Sequence, residues 1–178
     1  MKTQLIKVLA IIFTMLPATM MAQDDFNKLY EKYAGKQGVT SINTSPEMFR
    51  LLSSIDMSDS AEEVKDAQNV MEQLAGLKML VYENPEGKSV ANFYNDIKKF
   101  LPLGDYTELM TINDSDSDIK FLIKKEGKNR ISELLMIVKS EGEVLVMSMI
   151  GDLDMNSISK IGSSLDMKGM ENLEKIHE

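Results

Sequence analysis

Few side chains in this chain are equipped for chemistry, and they are scattered. The only histidine is His177, one residue from the C-terminus, where a fraying end makes a poor general base. A Ser-His-Asp triad would have to use it, and an HExxH zinc site needs a second histidine. Cysteine is absent, which excludes thiol catalysis, cysteine-ligated zinc and thiol redox switching. Asp114, Asp116 and Asp118 alternate like the opening of a calcium loop. The sixth position of that loop is Ile119 instead of glycine, and the twelfth is Lys125 instead of a bidentate glutamate. A hairpin turn rich in Asn, Asp and Ser explains the run without an ion.

Fifteen methionines raise the question of thioether copper sites. Met71, Met79, Met136 and Met147 fall inside helical or strand patterns, and the close pair Met147 and Met149 belongs to a strand that reads as core. Methionine as adaptable core filler accounts for them. Glu133 and Asp152 could serve a hydrolase only if they met in one cleft. Asp154 and Lys160 could form an acid–base pair, but no second polar cluster accompanies them, and a helix-capping role for Asp154 or Asn156 explains the segment. There is no glycine-rich phosphate loop and no dinucleotide fingerprint. The sequence thus offers no catalytic residue, no cofactor site and no metal site.

The elements that would position any site begin after a leader. Lys2 and Lys7 precede and interrupt an apolar run over 5–16, and small residues follow up to Ala22. This pattern predicts a cleaved secretory signal peptide over 1–22, since the apolar run is too short to remain as a membrane span. Residues 23–178 then form a single domain, periplasmic or secreted, without stable membrane insertion. The chain carries a net charge of −8, and loss of two positive charges with Lys2 and Lys7 leaves about −10. Such acidity argues against nucleic acid and anionic lipid as partners.

Periodicity predicts a helix over 24–34, with Phe26, Leu29, Tyr30 and Tyr33 on one face, and a short strand over 39–43. Ser45-Pro46 signals a helix start, with Met48, Phe49, Leu51 and Leu52 on its apolar side. After a linker at 56–59, Ser60 and Glu63 suggest a capping box for a helix that Gly76 would stop. A strand over 77–83, a turn at 84–87 and a helix over 89–101 follow. From Tyr106 the period changes to two, giving strands at 109–112, 119–125, 131–139 and 144–150 joined by short turns, an antiparallel meander. Helical stretches at 155–165 and 168–176 close the chain. The expected fold is α+β: an antiparallel or mixed sheet of five to six strands with a C-terminal meander, flanked by helices.

The last two strands are apolar on both faces. Leu135 and Ile137 oppose Leu134, Met136 and Val138, and Val144 and Val146 oppose Leu145, Met147 and Met149. Such strands need cover on both sides. Either helices pack on each face, or one face offers an apolar groove. Leu134, Met136, Val138, Leu145, Met147 and Met149 are the candidate ligand or partner residues.

Three segments carry a resemblance. The first spans 26–49, with Tyr33-Ala34-Gly35, Gly38-Val39-Thr40-Ser41-Ile42 and Ser45-Pro46-Glu47-Met48-Phe49. The second is Ile131-Ser132-Glu133-Leu134-Leu135. The third is Ile150-Gly151-Asp152-Leu153-Asp154 with Ile158 and Lys160. Together they resemble the uncharacterised exported family known as domain of unknown function 4252, typical of Bacteroidetes. The resemblance implies a Gram-negative cell envelope and, from the gene neighbourhoods of its members, a link to envelope sensing. It brings no catalytic residues. The expected function is a non-enzymatic envelope module that binds an unknown envelope protein or apolar ligand. The alternative is a carrier holding a lipid or other apolar ligand in a groove on the sheet.

Overall fold

A computed structural model describes residues 20–55, 62–83, 90–127 and 130–164. The elements are α1 (Met20–Tyr33), β1 (Val39–Thr44), α2 (Pro46–Ser53), α3 (Glu62–Gln73), β2 (Leu74–Glu83), α4 (Ala91–Phe100), a 3₁₀ turn (Leu103–Asp105), β3 (Thr107–Asn113), β4 (Ser117–Glu126), β5 (Arg130–Ser140), β6 (Glu143–Leu153) and α5 (Met155–Ser164). The expected signal peptide at 1–22 overlaps α1, whose start lies ahead of Ala22. The linker at 56–59, Ser60, the turn at 84–87 and the helix at 168–176 lie outside the described residues.

The strands form one six-stranded sheet in the order β1-β2-β6-β5-β4-β3, with every neighbouring pair antiparallel. The last four strands are the expected meander, and β2 inserts beside β6. Because side chains alternate across a strand, two apolar sets lie back to back. On one face Leu80, Leu122, Leu135, Ile137, Val144 and Val146 pack with Phe26 and Leu29 of α1, and with Phe93 and Ile97 of α4. On the other, Phe121, Ile123, Leu134, Met136, Met147 and Met149 pack with Ile158 of α5. Helices therefore contribute to both layers.

Polar contacts tie the first helical layer together. Asp96 of α4 accepts hydrogen bonds from the Tyr33 hydroxyl (2.6 Å) and from Lys32 of α1. These two donors hold its carboxyl below the ordinary range. Phe93 meets Tyr33 edge-on at 4.6 Å and stacks on Tyr82 at 5.3 Å between ring centroids. Positive φ values at Gly35 (76°) and Gly38 (75°) let the chain turn from α1 into β1.

Three local expectations differ from what is observed. Ser45 occupies the N-cap position of α2, but its hydroxyl makes no capping bond. Of the apolar side expected for α2, only Phe49 is buried, while Met48, Leu51 and Leu52 are exposed. Gly76 does not stop a helix. The chain passes from Gln73 directly into β2 at Leu74, and Gly76 sits beside a register shift against β6. A Cβ there would lie 3.2 Å from the Ile150 side chain, so close strand packing explains the glycine.

Gly151 lies within β6, where the junction between α3 and β2 crosses. A Cβ on it would come 2.2 Å from the Gln73 carbonyl oxygen, a backbone atom with little freedom to yield. Gly151→Ala should therefore destabilise the protein by about 1–3 kcal/mol in urea unfolding. Gly142→Ala, with nothing within 4 Å, should change stability by no more than about 0.5 kcal/mol.

Candidate functional site

The six residues singled out from the sequence come together as three directly opposed pairs on adjacent strands: Leu134 with Met149, Met136 with Met147, and Val138 with Leu145. They lie on the face covered by α5. Leu134, Met136, Met147 and Met149 are buried, and Val138 and Leu145 are half-buried. The buried four pack as core, with unbranched methionine side chains filling the space between strands.

The carboxylates considered for hydrolysis are not brought together. Asp152 is exposed and pairs with Arg130. Glu133 is only 2 % exposed. It points to the opposite sheet face from the six residues, sharing that direction with Leu135 and Ile137. There its two carboxyl oxygens accept the Ser148 hydroxyl (2.5 Å) and the Tyr106 hydroxyl (2.8 Å). Lys124 lies nearby, with its ammonium 5.8 Å from the Tyr106 ring. Burial nevertheless raises the Glu133 carboxyl above the ordinary range, opposed by the two hydroxyl donors and by Lys124. An acid at a core-facing position, opposite a strand that carries a serine, is the signal that would have located this cluster.

The other sequence candidates resolve into structural roles. Asp114 accepts the backbone N–H groups of Asp116 (2.8 Å) and Ser117 (2.7 Å), closing the β3–β4 turn. These bonds hold its carboxyl below the ordinary range. Among the described residues no group of three or more His, Asp or Glu side chains is placed to hold a metal ion. Asp154 caps α5 by accepting the Ser157 N–H at 2.8 Å, and Lys160 pairs with Asp66 of α3 at 2.6 Å.

The corner where β1 meets α2 was not singled out from the sequence. A cavity of about 230 Å³ lies beneath it, lined by Phe26, Asn43, Pro46, Leu77, Lys78 and Ile150 among others. The Lys78 ammonium is held there by the Asn27 side-chain oxygen and faces the Tyr30 ring at 5.4 Å. Among the described residues the exposed large hydrophobics, Ile42, Met48, Leu51, Leu52 and Ile55, all fall within the stretch 42–55, and Leu51 is 62 % exposed. The helix is nonetheless firmly seated. Phe49 is buried, and Gln68 of α3 donates to the carbonyls of Ser53 and Ile55. A concentration of exposed apolar side chains on a fixed element marks a contact surface.

No helix among the described residues is long and apolar enough to cross a membrane. Residues 30–161 match the family described as Domain of unknown function (DUF4252). None of the curated proteins and none of the solved structures gives a match.

Glu133 gives a pH signature. Its folded carboxyl holds a proton that the unfolded chain has already released, so its contribution to stability is complete at low pH and is lost as pH rises through the folded value. Glu133→Gln removes this linkage. In urea unfolding from pH 4 upward, wild-type stability should fall relative to Glu133→Gln by about 1.4 kcal/mol per pH unit until the folded carboxyl ionises. Parallel curves for the two proteins would refute the assignment.

Proposed function

The chain belongs to the DUF4252 family, and from that premise we infer that it is a non-enzymatic interaction module of the cell envelope. One observation carries this reading: the cluster of exposed large hydrophobics on the β1–α2 corner. Buried apolar residues hold a fold together, whereas a rigid exposed group of them gains free energy only when something else covers it. The envelope location rests on the leader pattern at 1–22, and a link to envelope sensing on the family resemblance. The acidic remainder of the surface favours solubility and discourages unspecific contact with anionic polymers.

A lipid carrier is the weaker reading. The face proposed to hold the lipid has four of its six residues buried. The cavity under the corner, about 230 Å³, lies below the ~300–1,000 Å³ usual for small-ligand pockets. It suits a compact molecule better than an acyl chain.

The test uses the double variant Met48→Asp with Leu51→Asp. Both side chains are exposed, so thermal unfolding should move by only a few degrees. Capture of envelope components from the producing cell should fall at least about tenfold, the loss expected from 1.4 kcal/mol or more of contact energy. Equal capture by wild type and variant would dismiss the corner as a contact surface.

A further inference from the structure

We propose that the β1–α2 corner joins a second copy of this chain, with the two β1 strands pairing antiparallel into one continuous sheet; this rests on reading the corner as a contact surface. The sheet has two edges, β1 and β3, and they are built differently. Edge strands are normally guarded by charges, prolines or bulges. β3 has such guards: a register shift between Glu108 and Met110, and Glu108 placed against Lys120 at 3.6 Å. β1 has none. Its six residues, Val-Thr-Ser-Ile-Asn-Thr, carry no charge and no proline, and they pair with β2 through six consecutive positions without a shift.

The hydrogen-bond phase sets how a second strand could add. The Glu83 N–H donates to the Gly38 carbonyl at 2.9 Å, and the register of β1 on β2 places these two residues opposite each other. Bonded positions alternate in an antiparallel ladder. Thr40 and Ile42 therefore bond toward β2, while Ser41 and Asn43 direct their N–H and C=O groups to the open side. A two-fold axis through Ile42 then sets Ser41 opposite Asn43 of the partner subunit, with both backbone bonds exchanged. It also sets Ile42 opposite the partner's Ile42 as a close, non-bonded pair. Ile42 is among the exposed large hydrophobics, and this pairing covers it.

Charge selects a second copy as the occupant. A two-fold contact brings a surface against itself, so the surface must complement itself. Most of this chain cannot do so, since its net charge is −8. Between Val39 and Ile55 the only charged residues are Glu47 and Arg50, which pair with each other at 3.4 Å. This stretch is neutral and carries one charge of each sign, which a symmetric partner can match in reverse.

Sedimentation equilibrium of the purified chain, as cells produce it, should show a monomer–dimer equilibrium in the micromolar range. Ile42→Lys places like charges face to face and should weaken the dimer at least about tenfold; Thr107→Lys on the β3 edge should not. Circular dichroism of each variant checks that it folds. The absence of native cysteine permits a sharper test: under mild oxidation Ile42→Cys should form a disulfide-linked dimer and Thr107→Cys should not. A monomer at every concentration overturns the proposal. So does a dimer indifferent to Ile42→Lys, or one that Ile42→Cys fails to cross-link. If the chain alone is monomeric while capture still depends on Met48 and Leu51, self-pairing is wrong and the interaction reading survives.

Discussion

Everything in this fold follows from strands that are apolar on both sides. β5 and β6 carry Leu135, Ile137, Val144 and Val146 toward one layer and Leu134, Met136, Met147 and Met149 toward the other. A sheet with one wet face could have stood with helices on a single side. Here each layer recruits its own: α1 and α4 on one side, α5 on the other. Each fully buried large side chain contributes about 1.5–3 kcal/mol. The two layers together are the main source of stability in a chain with no disulfide.

Within that apolar sandwich, Glu133 is the exception. Two hydroxyl donors satisfy its oxygens, so the cost of its burial is reduced without being removed. The hydrogen bonds join Tyr106, at the entrance to β3, to the centres of β5 and β6. Directional bonds of this kind fix the relative placement of segments that apolar contacts alone would leave free to slide. Asp152, the other carboxylate considered from the sequence, stands apart from this cluster and pairs with Arg130.

The strands and helices were largely legible because period-two and period-3.6 patterns are strong over this chain. The meander, the stripe of α1 and the face assignments of the last strands all follow from side-chain alternation. Gly76 was misread because its role depends on a distant strand. Gly76 and Gly151 answer to close approach between distant segments, which local spacing cannot reveal. The corner was misread for the opposite reason. Met48, Leu51 and Leu52 have the pattern of a core-facing helix, but α2 is eight residues long and only Phe49 reaches the interior. Amphipathic spacing says that a helix has an apolar side; it does not say whether the same chain covers it. The polar cluster was legible only in part, because Glu133 was noticed for its charge and not for its inward direction.

The facing thioethers of Met136 and Met147 bear on how the protein would age in an oxidising compartment. With no thiol to act as a sacrificial target, peroxide or hypochlorite would act chiefly on methionine. While the sandwich is closed, those two sulfurs are shielded. Sulfoxide formed during a transient opening would place a strong S=O dipole between β5 and β6, and the layer could not close over it. Damage would then accumulate at the pace of the molecule's own breathing, and repair by a sulfoxide reductase would require the chain to open again.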